Sequence, residues 1–480
     1  MATIHDIPAE ILATVFEIGI YRTGIRFIYP ATLVCRDWYS IISNTPRLWG
    51  ILSIGRNVSP KSLLKMVAKA KESPLSITVS SNTLFDNSYM QGLLKDLTAL
   101  SRNWVALEAG LDFMSFFRWK DLYRNLEELT LLSARKFHGI EAFFDGVDPS
   151  SVNRDIKLHS FTATSLPHTW IRGFLGPQIR RLSITDAYEI HEEGQEKQYT
   201  TIWNHSISIW QTMDFLKHVP YATSVELNDL NHIDPIGYSP PVVRMQNLQR
   251  LELKGVQFST SILSSISAPS LQTLCVDSGT DAWNLFTPTS VVPMASFFSQ
   301  WSQPGFIPTH LHTLDLVNCL NVADIPFLIR WLGKLPNLVR LLLLDVDNIL
   351  QQAAFHEQNL SDSSQNEQFD FLHALAHPAF EKDGKGTWLC PSLMVLRIYP
   401  GANIGGLRSI AQARGGVVPY SYDISMVPPP ARLRQIETQL CFNADRENIN
   451  ELVSLADHVY CRCLSCGTLP DGLSWSPGTT

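Results

Sequence analysis

Charge of one sign is what this sequence most lacks: 38 lysines and arginines stand against 45 aspartates and glutamates, a net charge of −7 over 480 residues. So mild a balance supplies no electrostatic drive toward a nucleic-acid backbone or an anionic membrane, and neither is an expected partner. There is no stretch of about 18 consecutive apolar residues of the length a membrane-spanning helix needs. The segment MATIHDIPAE has no basic stretch followed by an apolar one, and the expectation is a soluble, intracellular protein, cytoplasmic and/or nuclear. Cysteine is sparse, eight in all, and Cys35, Cys275, Cys319, Cys390 and Cys441 are isolated from one another, so reduced thiols are expected in place of a disulfide framework. The sequons at Asn57, Asn204 and Asn359 carry meaning only in a secreted chain and are read as chance.

Motifs of chemistry are missing too. The sequence contains no P-loop, GxGxxG turn, HExxH, GxSxG or EF-hand spacing, so no catalytic residue and no cofactor is expected. The one cluster of ligand-type residues is Cys461, Cys463 and Cys466, with His458 three residues upstream. Such spacing can wrap a zinc ion, but zinc sites usually draw pairs from separated segments, so metal ligands and reduced thiols both stay open.

What is present is the composition of a packed chain, 45% apolar and 17% charged. Its length suits two to four ordinary domains, or one small domain followed by an extended repeat. Near the start, Ile7, Ile11, Leu12, Val15, Phe16 and Ile18 lay a broad apolar stripe along a helix, with Asp6 placed to cap it, Pro8 in its first turn and Glu10 suited to its dipole. A second helical pattern begins near Pro30 and carries Leu33, Val34, Trp38, Ile41 and Ile42 until Ser43-Asn44-Thr45-Pro46 breaks it. Helices so short bury little area alone, and exposed apolar surface is the expected result.

The strings Ile7-Pro8-Ala9-Glu10-Ile11-Leu12, Val15-Phe16, Leu33-Val34-Cys35-Arg36-Asp37-Trp38 and Thr45-Pro46-Arg47-Leu48-Trp49 occur in the order of an F-box, and the first 50 or so residues resemble that family in its fungal form. The resemblance implies docking on the Skp-type adaptor of a Skp-cullin-F-box ubiquitin ligase. By position it implies that Ile7, Pro8, Ile11, Leu12, Val15, Val34 and Trp38 are the docking and core residues. Ile7 stands where the family usually has Leu, and Glu17 to Tyr29 is longer than its pattern and lacks its acidic turn.

From about residue 100 a phrase, apolar-x-x-apolar-x-apolar, returns ten times, with first residues Trp104, Leu126, Leu158, Ile179, Ala222, Leu248, Leu271, Leu311, Leu338 and Leu393. The steps are 22, 32, 21, 43, 26, 23, 40, 27 and 55 residues. Several fall in the leucine-rich-repeat range of roughly 20 to 29, and the longer ones read as a repeat plus an insertion. Each phrase predicts a short strand with alternate side chains in a shared core, and segments such as Phe327–Leu332 predict the intervening helices. Only the copy at Leu311 has the Asn/Cys of that family at its ninth place, Cys319.

The expected fold is therefore α+β: a small all-α F-box followed by an irregular leucine-rich-repeat-like α/β solenoid with parallel strands. Expected boundaries are a docking motif at 1–52, a linker and first irregular repeat at 53–100, the array at 101–426, a C-terminal capping helix region at 427–468 with a helix from about Glu447 to Tyr460, and a disordered tail at 469–480. Insertions are expected at 187–206, 278–306 and 355–370.

Strand positions flanked by core residues are expected to face a partner: Thr130, Ser183, Glu226, Glu252, Asp315, Leu342 and Arg397, with Lys254 and Tyr399 two places on. Of these, Glu226, Glu252 and Asp315 form an acidic run suited to a basic patch on a protein substrate, or else simply a solvated polar face. The expected function is that of a non-catalytic substrate adaptor that binds a Skp-type adaptor and cullin ligase at one end and an unknown protein substrate along the repeats. The alternatives are a leucine-rich-repeat interaction scaffold with no ligase role, and an enzyme hidden in the insertions.

Overall fold

A computed structural model describes residues 7–55, 59–79, 92, 97, 103–110, 125–132, 157–186, 207–230, 241–255, 259–278, 294–320, 322–344, 371–380, 386–399, 404–416, 429–438 and 446–461. Two compact units, Met1–His205 and Ser206–Thr480, divide the chain. The expected insertions at 187–206 and 355–370, the tail and the residues Asp6, Cys441, Cys463 and Cys466 lie outside the described residues.

The first unit opens with α1 (Ala9–Thr23), α2 (Ile28–Thr32), α3 (Arg36–Asn44) and α4 (Pro46–Trp49). Proline at the first position of α4 gives up an N–H that would have no partner there. The single helix expected from Pro30 to Ile42 is instead two. Thr32 turns its hydroxyl back to the Tyr29 carbonyl at 2.7 Å, and Cys35 is fully extended at φ −158°, so the chain leaves one helix and enters the next across Leu33 and Val34. After these come β1 (Ile51–Ile54), α5 (Pro60–Ala70), β2 (Leu75–Val79), β3 (Trp104–Gly110), β4 (Glu128–Leu132), β5 (Ser160–Thr164), a helix at His168–Phe174 and β6 (Arg181–Thr185). The six strands pair in sequence order, all parallel.

The second unit repeats the plan. Its main ladder comprises β7 (Ser224–Asn228), β9 (Arg250–Lys254), β11 (Thr273–Asp277), β12 (Thr313–Val317), β13 (Arg340–Leu344), β16 (Val395–Tyr399), β17 (Gln435–Thr438) and β18 (His458–Cys461), again parallel and in chain order. Two short pairs lie outside it: β8 (Val243–Arg244) with β10 (Ile266–Ser267), parallel, and β14 (Ala379–Phe380) with β15 (Gly386–Thr387), antiparallel. Helices at Ile209–His218, Ser259–Ser264, Ala295–Trp301, Ile325–Leu332, Phe371–Ala376, Ile404–Arg414 and Arg446–Leu455 pack each on the next. The first is closed by a capping box in which the Ser208 hydroxyl accepts from the Gln211 amide at 3.1 Å and the Ser208 amide donates to the Gln211 side chain at 2.7 Å.

Alternation sets the core. In β5, β7, β11, β12 and β13 the second and fourth residues are buried and the odd ones partly open. Phe297, Phe298, Trp301 and Trp331, all fully buried, cluster in the second unit, with Trp331 5.3 Å from each phenylalanine ring. The Trp301 indole donates to the Leu263 carbonyl at 3.0 Å, and the buried Asp324 carboxylate accepts the Ala295 amide at 2.8 Å, so adjacent repeats are tied by polar as well as apolar contacts.

Several expected boundaries move. In the first unit strand pairing already begins at β1 and β2, within and just beyond the 1–52 unit and in the stretch 53–100, and in the second unit it runs past residue 426 into β17 and β18. The helix expected from Glu447 to Tyr460 stops at Leu455, and Tyr460 lies in a strand. The reason is that the same spacing recurs with less typical residues: Trp49-Leu52-Ile54 and Leu433-Ile436-Thr438 are buried throughout, and in Ala456-Val459-Cys461 the first two are. The supposed insertion at 278–306 contains the helix Ala295–Trp301, whose aromatic side chains belong to the core.

A polar or small residue directly after the strand is a second feature of the repeat. Ser165, Asp186, Asp229 and Asn318 take left-handed φ of 54°, 53°, 50° and 52°, and Gly255 takes 60°. From this turn the Ser165, Asp229, Gly255 and Asn318 amides each donate to the last carbonyl of the neighbouring strand at 2.7–2.8 Å. Ser, Asp, Asn and Gly are the residues that tolerate this conformation or bond locally within it.

Candidate functional site

Helix α1 carries two apolar stripes, and only one is covered. Leu12, Ala13, Phe16 and Ile20 face inward, where Phe16 meets the Trp38 ring of α3 edge-on at 4.9 Å. The Trp49 indole donates to the Ile42 carbonyl at 2.9 Å, and Arg47 reaches back to Glu17 at 3.5 Å, fixing α4 against α3 and α1. The other stripe, Ile11, Val15 and Ile18, runs at spacings of four and three on the open side, and each is at least half exposed. In the turn between α2 and α3, Leu33 is 86% and Val34 60% exposed. Ile7, Tyr21, Tyr29 and Tyr39 are also exposed.

The residues that the F-box resemblance groups together thus separate by role. Ile7, Pro8, Ile11, Val15 and Val34 are surface; Leu12 is core at 6% exposure; Trp38 is half-buried against Phe16. Ile18, Leu33 and Tyr39 are open residues that the resemblance did not single out. The signal was available in the spacing, since residues 11, 15 and 18 form one helical stripe and 12, 16 and 20 another.

The second surface is the middle row of the second unit's ladder, where register brings Glu226, Glu252, Cys275, Asp315, Leu342, Arg397 and Glu437 side by side. The acidic run is real in position but not open in charge. Glu252 is buried and ion-paired with both Arg250 and Lys254, the latter at 2.6 Å. Lys254 also lies 3.8 Å from Glu226. Asp315 holds Arg340 at 3.0 Å, and Arg397 holds Glu437 at 2.8 Å. Tyr399 is buried, so it and Glu252 are not part of an accessible surface.

These contacts show in the titration of the groups. The hydrogen bond to Glu252 raises the Lys254 pKa. Burial raises that of Asp315 even though Arg340 and Arg397 oppose it. Burial, reinforced by Asp315 and Glu252, pushes the Cys275 thiol up to about 12, so it is an unreactive thiol at neutral pH. The partners Arg250, Arg340 and Glu437 were not anticipated from sequence, although Arg250 and Lys254 sit two places either side of Glu252, where a strand puts side chains on one face.

The chain matches no protein-family model and no curated protein. No described helix is long and apolar enough to cross a membrane.

Proposed function

We propose that the protein is the substrate-recognition subunit of a Skp-cullin-F-box type ubiquitin ligase, docking on the Skp-type adaptor through the open face of α1 to α3 and on a protein substrate through the strand ladder. One observation carries the reading: the uncovered α1 stripe of Ile11, Val15 and Ile18, with Leu33 and Val34 exposed in the turn between α2 and α3, in the segment whose residue order resembles the F-box. Apolar surface concentrated in this way needs a protein to cover it, at roughly 25 cal/mol per Å² removed from water. The ladder supplies the long, regular, polar face on which a second protein can be held. No bond is made here; the role is to hold a target lysine near a charged conjugating enzyme, which acts through effective concentration. The setting would be intracellular.

The test is capture of a purified Skp-type adaptor by the wild-type chain and by an Ile11→Asp/Val34→Asp variant, with folding checked by thermal unfolding. Leu12 is unsuitable for this purpose because its side chain belongs to the core. Capture by wild type and its loss in a folded variant support the proposal. A folded wild-type chain that captures no adaptor overturns it and leaves a repeat scaffold without a ligase role.

A further inference from the structure

We propose that the strand face of the second unit binds an acidic protein segment, one rich in aspartate and glutamate; this names a substrate class for the ladder and so rests on the proposed substrate role of that face. Sequence order alone points the other way, because Glu226, Glu252 and Asp315 run through the middle row. Height above the sheet reverses the sign. In the ion pairs of this face the side chains of Arg250, Lys254, Arg340 and Arg397 are 27–57% exposed, whereas those of Glu252, Asp315 and Glu437 are only 6–18% exposed. The physical cause is length. Lysine and arginine carry their charge at the end of a long apolar stem and reach water from a place where a carboxylate stays near the strand. Neighbouring strands therefore bury the acids and lift the cations, and a protein approaching the face meets positive charge first.

The cations are not used up by their partners. Arg340 reaches Asp315 through Nη2 at 3.0 Å and the Arg397 Nε lies 2.8 Å from Glu437, and each guanidinium keeps further N–H donors that suit a second carboxylate. Two part-open acids remain among the described residues of the face. Glu226 lies 3.8 Å from Lys254 and accepts from the Asn228 side-chain amide at 3.0 Å, and Asp277 stands beside Lys254 in register. Register also spaces the cations. Arg250 and Lys254 stand on β9, Arg340 on β13 and Arg397 on β16, with Thr273, Cys275 and Thr313 between them on β11 and β12. Three strand spacings of about 4.8 Å put β9 and β13 roughly 14 Å apart, the span of about four residues of extended chain. Acidic residues about four apart on an extended segment therefore engage both groups of cations. Nucleic acid fits less well, because a phosphate backbone gains from neutralising many charges at once and every cation here already has a carboxylate beside it.

The experiment measures binding of the full-length chain to a fluorescent oligoglutamate peptide by anisotropy at low and high salt, with an oligolysine peptide of equal length and a single-stranded oligonucleotide in parallel. The ladder variants are Lys254→Met and the pair deletion Asp315→Leu/Arg340→Leu, which leaves the net charge unchanged and strands no carboxylate without its partner. The control is Lys61→Met/Lys65→Met, at exposed positions of α5, and folding of each variant is checked by thermal unfolding. Expected is oligoglutamate binding that weakens with salt and falls about two- to fivefold for each cation removed from the ladder, with no fall in the control. Preference for oligolysine or for the oligonucleotide overturns the proposal. So does an absence of oligoglutamate binding at low salt, ladder variants that bind as the wild type does, or an equal fall in the control. Adaptor capture by the same wild-type preparation separates the two readings. Capture without oligoglutamate binding sinks the acidic-segment proposal alone, and oligoglutamate binding without capture sinks the ligase reading and leaves this face as that of a scaffold.

Discussion

Nine of the fourteen large apolar side chains that stand exposed among the described residues lie between Ile7 and Tyr39, while the whole second unit contributes four. Both regions are apolar, but they differ in what covers them. In the second unit's ladder strands pair in series, so repetition itself buries alternate side chains, the second and fourth in β7, β11, β12 and β13. The four helices at the start have no such neighbours in series. They cover one stripe of α1 and leave the other open, and the same physical chemistry produces a core in one region and a docking face in the other.

The largest effect that would sharpen the contrast comes from the ladder's aromatic cluster. Trp331→Ala removes a fully buried ring in contact with Phe297, Phe298 and Trp301, and a loss of about 3–5 kcal/mol is expected in denaturant unfolding. A loss under about 0.5 kcal/mol, the range of ordinary surface changes, would mean that this cluster is not the centre of the unit.

Next is the strand-end turn. Gly255→Ala puts a side chain at φ +60°, with its Cβ 2.4 Å from the Asp229 Oδ1, and should destabilise by about 1–2 kcal/mol. Gly255→Asn, which tolerates the left-handed region better, should lose less. Equal losses would show that space, not backbone conformation, sets the effect.

The ion pair of Lys254 with Glu252 contributes less, because the lysine is 45% exposed. Its pKa is raised by folding, so the stabilisation is fully present below the ordinary value of 10.5 and is lost as pH rises through the higher folded value. The stability difference between wild type and Lys254→Met should therefore be constant around neutral pH and shrink only in that alkaline range. A difference that instead disappears on acidification through neutrality would contradict the assignment.

Smallest of all is the effect on stability at the helical face. Ile11→Asp should change unfolding free energy by no more than about 0.5 kcal/mol, because its side chain is already in solvent, yet it should abolish adaptor capture. A large loss of stability would make α1's second stripe part of a core and erase the contrast between the two regions.

Much of the ladder was legible because its period is short and its residue type strong. Leu251, Leu253, Leu314 and Leu316 announce strands, and the helix at Ile325–Leu332 was readable from its own apolar pattern. The strands at either end were missed because Trp49, Thr438 and Ala456 fill core places with residues that are not typical of the repeat. The helix Ala295–Trp301 was hidden in a stretch whose polar residues dominate the eye, although Phe297, Phe298 and Trp301 fall on one side of it. At the candidate site the segment was legible and the division of labour was not, since Ile11 and Leu12 are adjacent and equally apolar but point to opposite environments.

By itself the sequence determined the local choices: which stretches alternate as strands, which recur every 3.6 residues as helices, and where prolines and glycines interrupt them, because these depend on near neighbours. Tertiary structure alone decided that Asp315 is spent on Arg340, that Arg397 is spent on Glu437, and that Leu33 and Val34 stand in solvent. Burial and charge pairing join residues from different strands and helices, and no local pattern carries that information.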